Sequence, residues 1–296
     1  MPKTASSGAQ YLGALRSVWQ ITSGLMRRYP ILWLPFLMIG LSDAVVLALA
    51  YLAPRQPFDA LLAPPIRAFW GERFLHYPSN FFILPKLYEY GHTLVMAGIG
   101  VVMTGTAIGM VEQANRGQQP RFVSNAVRTI KRYVTLFWVW MAGFFLSTLL
   151  IKGARFMVFA AYDTTLRAML PPRTVLLDVV LWCSVFAAIA IEALWVYALP
   201  IAVLEGQRWW RSLTASFRSA TDFWGPTYLL VLVPSSLLFS VMMLKQQIGT
   251  LMRFVAPEAT VWVLVLGVVY SLVAEWAITM SATVLYLVRK EPTRRS

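Results

Sequence analysis

Six long apolar runs dominate this chain, and they limit what it can fold into. A helix that crosses the hydrocarbon core of a membrane needs about 20 apolar residues. Six segments meet this requirement: residues 31–53, 92–111, 133–151, 175–204, 223–243 and 259–288. We therefore predict an all-α fold, a polytopic membrane helix bundle with six transmembrane helices.

The composition excludes a water-soluble domain and several kinds of site. Hydrophobic residues make up 58% of the chain and charged residues only 13%, with a mean hydropathy of +0.61, which is typical of membrane proteins. The net charge of +13 does not predict nucleic-acid binding, because the basic residues flank the apolar runs. One cysteine and two histidines give no basis for a disulfide or a metal site. We predict no cofactor.

The basic residues are divided unevenly between the two sets of connecting segments. With six spans, both ends of the chain lie on one side, and the segments on that side hold 16 of the 26 Lys and Arg residues. The positive-inside rule places that side in the cytoplasm. We predict that both termini are cytoplasmic.

The longest external segment, residues 53–90, is rich in aromatic residues and prolines. Proline interrupts helices, so we expect no continuous helix there. The aromatic residues favour a segment that lies on the headgroups or caps the bundle, with a ligand-binding lid as the alternative.

Three cytoplasmic stretches resemble one another: LGALRSVWQITSGLMRRY, RFVSNAVRTIKRYVTLFW and RSLTASFRSATDFWGPTY. In each, an arginine precedes a small hydroxyl residue, and apolar residues recur at helical spacing. The arginines are Arg16, Arg128 and Arg218. We predict three amphipathic cytoplasmic interfacial helices, each followed by two spans. The chain is then one membrane domain, residues 1–296, with a threefold internal repeat of units 11–111, 119–204 and 208–288.

These basic helices predict partners at the cytoplasmic face. Arg16, Arg128 and Arg218 are expected to contact anionic lipid headgroups or a membrane-protein partner. An alternative is that each stretch is only a positive-inside stop signal. That alternative explains the arginines but not the repeated apolar face.

Three carboxylates lie deep in the apolar runs: Asp43, Glu192 and Glu275. Each is 12 or 13 residues from the predicted cytoplasmic end of its span, which predicts a shared layer roughly 18–20 Å deep. An acid at the bilayer centre costs on the order of 3 kcal/mol, so these side chains are expected to face the bundle interior or a wet cavity.

Small and polar residues accompany these acids at helical spacing. In the last span, Gly267, Ser271, Glu275, Thr279 and Thr283 follow one another at steps of four, which predicts an inward stripe. In the second span, Gly105 and Gly109 have the GxxxG spacing that permits close helix contact. Two prolines inside spans, Pro200 and Pro234, predict local bends.

Two interpretations of the acids remain open. They could form a proton or cation relay, or the counter-charge for a cationic substrate. Alternatively, they are protonated carboxyls that hydrogen-bond between helices and hold the bundle together. The sequence places no basic residue at the same depth, and neither histidine has a carboxylate partner at a recognisable spacing.

Motifs for enzymatic chemistry do not stand out. The chain contains no GxSxG, HExxH, P-loop or paired-cysteine metal motif, and we predict that it is not an enzyme. An enzyme working on lipid at the external face is the least supported hypothesis.

The segment YALPIAVLEGQRWWRSLTASFRSATDFWG carries a resemblance to a known group of proteins. Pro200 and Glu205 end a span, and a basic amphipathic helix with Arg218 and Ser219 leads into the next. This layout resembles that of uncharacterised bacterial six-span inner-membrane proteins similar to the membrane domain beside some glycerophosphodiester phosphodiesterases. The resemblance implies the architecture and a bacterial inner membrane. It implies no enzymatic activity, because this chain has no catalytic phosphodiesterase domain.

Two functional hypotheses follow. The first is a non-enzymatic membrane scaffold or accessory subunit that binds anionic lipid or a membrane partner. The alternative is a small transporter or lipid-handling permease that uses Asp43, Glu192 and Glu275. A dry, closely packed bundle favours the scaffold, whereas a polar cavity that reaches the acids favours transport.

Overall fold

The computed structural model describes residues 7–162 and 173–295, and over these ranges the chain is helical without a strand. The all-α prediction is confirmed. The connection between the predicted third and fourth spans falls partly outside the described residues. The helices are α1 (Ser7–Arg28), α2 (Leu34–Leu52), α3 (Asp59–Trp70), α4 (Asn80–Val95), α5 (Val101–Asn115), α6 (Phe122–Ile130), α7 (Tyr133–Tyr162), α8 (Arg173–Trp195), α9 (Ala198–Glu205), α10 (Trp209–Thr221), α11 (Trp224–Ser235), α12 (Leu237–Gln246), α13 (Ile248–Phe254) and α14 (Ala259–Arg295).

Five helical segments are long and apolar enough to cross a membrane, and the bent pair α11–α12 makes a sixth if it counts as one span. This architecture fits an integral membrane protein. The five segments are Pro30–Leu52, Asn80–Asn115, Tyr133–Ala160, Asp178–Glu205 and Ala259–Lys290.

The second of these segments begins earlier than the sequence predicts. We predicted a span over residues 92–111, whereas the helical segment covers Asn80–Asn115. Lys86, Glu89 and His92 lower the apolar character of its first part, and Pro85 is a residue that usually ends a helix. Helix α4 accommodates Pro85 near its N-terminus, and His92 therefore lies well inside the segment.

A π-helical turn at Met96–Gly100 connects α4 to α5 within this segment. Such turns widen the helix and leave backbone carbonyls without their usual partners. The hydroxyl of Tyr133 donates to the carbonyl oxygen of Ala97 at 2.9 Å. Helix α7 thus satisfies a backbone group of the widened turn.

Prolines interrupt two other segments, as predicted. Pro200 has no N–H to donate to the carbonyl of Val196, and the chain forms a turn at residues 196–197 between α8 and α9. The hydroxyl of Ser216 on α10 donates to the carbonyl oxygen of Leu194, just before this turn, at 2.9 Å. Near Pro234, α11 and α12 meet at an angle of 47°.

Helix α14 is the central element of the bundle. It packs against α1, α2, α4, α5, α11 and α12. The main core cluster lies around it, and its side chains are almost inaccessible to solvent; they include Phe36, Tyr197, Leu230 and Met280. In a membrane such close packing, rather than exclusion from water, holds helices together.

The three amphipathic stretches form helices α1, α6 and α10, and contacts place them at one end of the bundle. Helix α1 packs against α11 and α14. Arg128 on α6 donates to the carbonyl oxygen of Val203 on α9 at 3.3 Å. Arg289 on α14 donates to the carbonyl oxygen of Ser219, at the end of α10, at 2.9 Å.

Helix α6 buries its polar side and exposes its apolar side. Asn125 and Thr129 are buried, and they face Gly109 and Gly105 of α5. A Cβ atom on Gly109 would lie 2.5 Å from Oδ1 of Asn125, and one on Gly105 would lie 2.5 Å from Cγ2 of Thr129. The close contact that the GxxxG spacing permits is therefore made with α6. The exposed residues Val123, Val127 and Ile130 point away from the protein.

The hydroxyl residues that suggested the repeat are not equally buried. Thr129 is buried, Ser219 is half-buried and Ser17 is exposed. These residues therefore do not occupy equivalent environments in the three helices.

The segment before α4 contains α3 and a short 3₁₀ helix, Glu72–Leu75. Arg67 of α3 hydrogen-bonds to Glu72, and this bond lowers the pKa of the Glu72 carboxyl. The apolar side of α3 packs through Ile66 against Ala53 and Ile83. As the prolines predict, the segment is not one continuous helix.

Candidate functional site

A cavity of about 310 Å³ lies among α5, α7, α8, α9 and α14. Two of the three predicted intramembrane acids, Glu192 and Glu275, are in its wall. We call it the acidic cavity. Its remaining lining is apolar and aromatic with a few hydroxyl groups: Met96, Thr104, Ile108, Val139, Trp140, Gly143, Phe144, Ser147, Trp195, Val196, Leu199, Pro200, Ile278 and Thr279.

Glu192 reaches the cavity from the last turn of α8. Glu192 is exposed, and it forms part of the cavity wall. Pro200 and Val196 also line the cavity, so the interruption between α8 and α9 forms part of the wall. Interrupted membrane helices are common at binding sites because their freed backbone groups can face a ligand.

Glu275 reaches the cavity from the middle of α14. Its Oε2 atom is buried and has no hydrogen-bond partner among the described residues. A buried polar atom without a partner is costly, so this oxygen is a place where the packing around Glu275 leaves a polar group unsatisfied. Glu192 lies in the wall of the same cavity, and α14 also packs against α2 and α4, the helices that carry Asp43 and His92.

The residues of the predicted polar stripe of α14 have different surroundings. Thr279, one turn after Glu275, also lines the cavity. Gly267 lies against Val241 of α12, and the Thr283 hydroxyl donates to the carbonyl oxygen of Thr279 at 2.7 Å. The central part of the stripe faces the cavity, and its ends face other helices.

Aromatic rings form much of the remaining wall. Trp140 and Phe144 are stacked with their ring centres 5.2 Å apart, and Trp195, which also lines the cavity, lies against Gly143 of α7. Phe144 is 40% exposed, so the cavity reaches the protein surface beside α7. Aromatic faces attract organic cations, and the two carboxylates across the cavity supply negative charge.

Asp43, the third predicted acid, does not line the cavity. It is buried in α2 and lies 2.8 Å from His92 of α4, measured from Oδ1 to Nδ1. The sequence shows no recognisable spacing between a histidine and a carboxylate, yet the fold pairs His92 with Asp43; the prediction that no basic residue lies at the depth of the acids did not anticipate this partner. The partners are 49 residues apart in the chain, and the predicted start of the second span placed His92 at the membrane surface.

A line of polar side chains connects this pair to the protein surface. The rings of Tyr88 and His92 are stacked with their centres 5.8 Å apart. The ammonium group of Lys245 on α12 lies 5.8 Å from the centre of the Tyr88 ring. Lys245 and its neighbour Glu89 are exposed. Tyr88 and Lys245 thus lie between His92 and the protein surface, joined by ring contacts rather than by hydrogen bonds.

The predicted lipid-contact arginines have different surroundings. Arg16 and Arg218 are exposed. Arg128 lies 3.6 Å from Glu112 and also donates to the carbonyl of Val203. Together with Arg132, which donates to the carbonyls of Ala202 and Val203, it caps the C-terminal end of α9, where helix carbonyls have no partners of their own.

A metal centre is not evident in the described part of the chain, where no three metal-ligating side chains come together. The comparisons with known proteins add no assignment: no protein family, curated protein or solved structure matches this chain.

Proposed function

We propose that this protein is a small membrane permease whose acidic cavity binds an organic cation. The observation that carries the proposal is a cavity whose wall combines two carboxyl groups with stacked aromatic rings. A cation with apolar substituents would place its charge near Glu192 and Glu275 and its substituents against Trp140, Phe144 and Trp195. The cavity also favours transport over the scaffold hypothesis, since a scaffold needs no internal acidic space.

We propose that the protein crosses the membrane six times, with α11–α12 counted as one span, and that it consists of three repeat units. Its support is the order of one amphipathic helix followed by two apolar segments, found after α1, α6 and α10. The common location of these helices supports a cytoplasmic position for both termini, and the resemblance noted above supports a bacterial inner membrane. We also propose that the exposed Arg16 and Arg218 contact anionic headgroups or a membrane partner.

Labelling of single cysteines tests this orientation. Cys183, the only cysteine in the sequence, is replaced by serine, and one cysteine is introduced either at Arg121, before α6, or at Ser79, before α4. A membrane-impermeant maleimide added to intact spheroplasts should label position 79 and not position 121. The opposite pattern would overturn the proposed orientation.

Binding of radiolabelled tetraethylammonium to the purified protein tests the cavity. In an uncharged detergent, equilibrium dialysis should show saturable binding. The substitutions Glu192→Gln and Glu275→Gln each remove one carboxylate while preserving side-chain size, so we expect affinity to fall about tenfold or more. Glu258→Gln, at an exposed position outside the cavity, is the matched control and should bind as the wild type does.

Two results would contradict the proposal. If tetraethylammonium does not bind saturably to the wild type, the cavity is not a site for this class of cation. If both cavity variants bind it as tightly as Glu258→Gln does, the carboxylates are not part of the site. In that case the acids hold helices together and the scaffold hypothesis gains support.

A further inference from the structure

The Asp43–His92 pair lies beside the acidic cavity without opening into it. Helix α4 packs against both α2 and α14, so His92 lies on a helix that contacts the helix of Asp43 and the helix of Glu275. The Asp43 side chain is 2% exposed, whereas that of His92 is 28% exposed. One partner is thus enclosed, and the other has an accessible surface on the bundle.

The pair has the chemistry of a proton carrier. Histidine exchanges protons near neutral pH, and a carboxylate at Nδ1 fixes the ring orientation and stabilises the protonated ring. With Nδ1–H donating to Asp43, Nε2 is left to take up or release a proton. The titratable and charged groups around His92 are its partner Asp43 on α2, Tyr88 on α4, Lys245 on α12 and Glu275 on α14. Glu192 on α8 is near Glu275.

We propose that His92, held by Asp43, is the proton site of this protein and that it exchanges its proton with Glu275. The inference rests on the proposed binding of a cation in the acidic cavity. A cation binds there when the carboxyls are ionised, and it is displaced when they are protonated. Binding of protons and binding of the cation are then mutually exclusive, which makes the protein a proton–cation exchanger.

The proton balance of this step is simple. When the cation enters, the carboxyl of Glu275 gives its proton to the neutral imidazole of His92, which leaves a carboxylate and an imidazolium. The carboxylate balances the bound cation, and the charge of Asp43 balances the imidazolium. The imidazolium then releases its proton to water at the surface where Lys245 and Glu89 lie, and the imidazole is regenerated.

Transport in reconstituted vesicles separates this proposal from the one on which it rests. The full chain is reconstituted, and two measurements are made with radiolabelled tetraethylammonium. The first is exchange of internal for external cation without a pH gradient, which requires only the cavity. The second is accumulation of the cation driven by an imposed pH gradient, with the interior acidic, which requires proton coupling.

The variants are His92→Gln and Asp43→Asn, and the control is His76→Gln, which changes the other histidine of the chain at an exposed position. We expect all three to exchange tetraethylammonium at rates within about twofold of the wild type, because in exchange one cation replaces another, the carboxyls stay ionised and no proton has to pass to His92. Gradient-driven accumulation should fall to the level of protein-free vesicles in His92→Gln and Asp43→Asn, and remain in His76→Gln. Retained exchange also shows that each variant is folded.

Each other outcome has a defined meaning. If His92→Gln and Asp43→Asn still accumulate the cation along a pH gradient, the proton site is refuted and the cation cavity stands. The same holds if the wild type exchanges the cation but shows no gradient-driven accumulation. If the wild type does not exchange the cation at all, the proposed permease function fails, and this inference fails with it.

Discussion

Replacement of Gly109 by alanine should destabilise the protein by crowding the contact between α5 and α6. The new Cβ would lie 2.5 Å from Oδ1 and 3.1 Å from Cγ of Asn125, so the Asn125 amide must move. That amide donates to Oε1 of Gln113 at 2.9 Å and to the carbonyl of Arg121 at 2.7 Å. Crowding a packed site costs about 1–3 kcal/mol, and each weakened hydrogen bond costs about 1 kcal/mol.

We therefore expect Gly109→Ala to lower the free energy of unfolding by roughly 2–4 kcal/mol, since the two hydrogen bonds are weakened only in part. For a chain of this size, that loss lowers the melting temperature by roughly 3–6 °C. The measurement is thermal unfolding of the purified protein in an uncharged detergent. Gly24→Ala is the control: Gly24 is exposed, and a Cβ there meets nothing within 4 Å.

A double variant checks the cause of the loss. Asn125→Ala removes the atoms that Gly109→Ala would displace. The added methyl group should therefore cost less in the Asn125→Ala background than in the wild type. If Gly109→Ala melts within about 1 °C of Gly24→Ala, which corresponds to a fraction of a kcal/mol, the described packing of α6 on α5 is wrong.

Two further predictions concern the segment around α9, and both are checked by the same melting measurement. Gly206 and Gly117 share a left-handed backbone, with φ of 73° and 72°, but only at Gly206 would a Cβ meet another group, the Arg132 guanidinium at 2.8 Å. Gly117→Ala should lower the free energy of unfolding by about 1 kcal/mol through backbone strain. Gly206→Ala should lower it further, because the new Cβ also displaces Arg132, which caps α9. Equal losses of stability in the two variants would refute this role of Arg132. Ser216→Ala should lower the free energy of unfolding by about 1 kcal/mol through the lost hydrogen bond to Leu194. Thr214→Ala, at an exposed site on the same helix, should lower it less. Equal losses of stability would show that the Ser216 bond does not stabilise the turn between α8 and α9.

Local patterns in the sequence predict much of the fold. Apolar periodicity predicts the membrane-length helices and the amphipathic helices α1, α6 and α10, because each pattern reflects contacts within one helix. Pro200 and Pro234 predict the interruptions for a similar reason, since the missing N–H affects a carbonyl only four residues away. These features need no knowledge of how helices are arranged.

Contacts between distant parts of the chain could not be predicted in the same way. The pairing of Asp43 with His92 depends on how α2 lies against α4, and no spacing in the sequence encodes it. The partner of Gly105 and Gly109 was equally hidden, because the GxxxG pattern shows that a close contact forms but not with which helix. The aromatic wall around Glu192 and Glu275 requires side chains from α7 and α8 to converge, which only the tertiary structure shows.

The bond between Asp43 and His92 also has a consequence for the biogenesis of the protein. Its two partners lie in the first two membrane-length segments, so the pair can form before the third segment has been synthesised. Glu192 and Glu275 have no such early contact, because their shared cavity is complete only when α14 arrives. We therefore expect the first two segments to leave the insertion machinery together as a helical hairpin. The cavity wall around Glu192 is complete only after α14, the last helix of the chain, has been inserted.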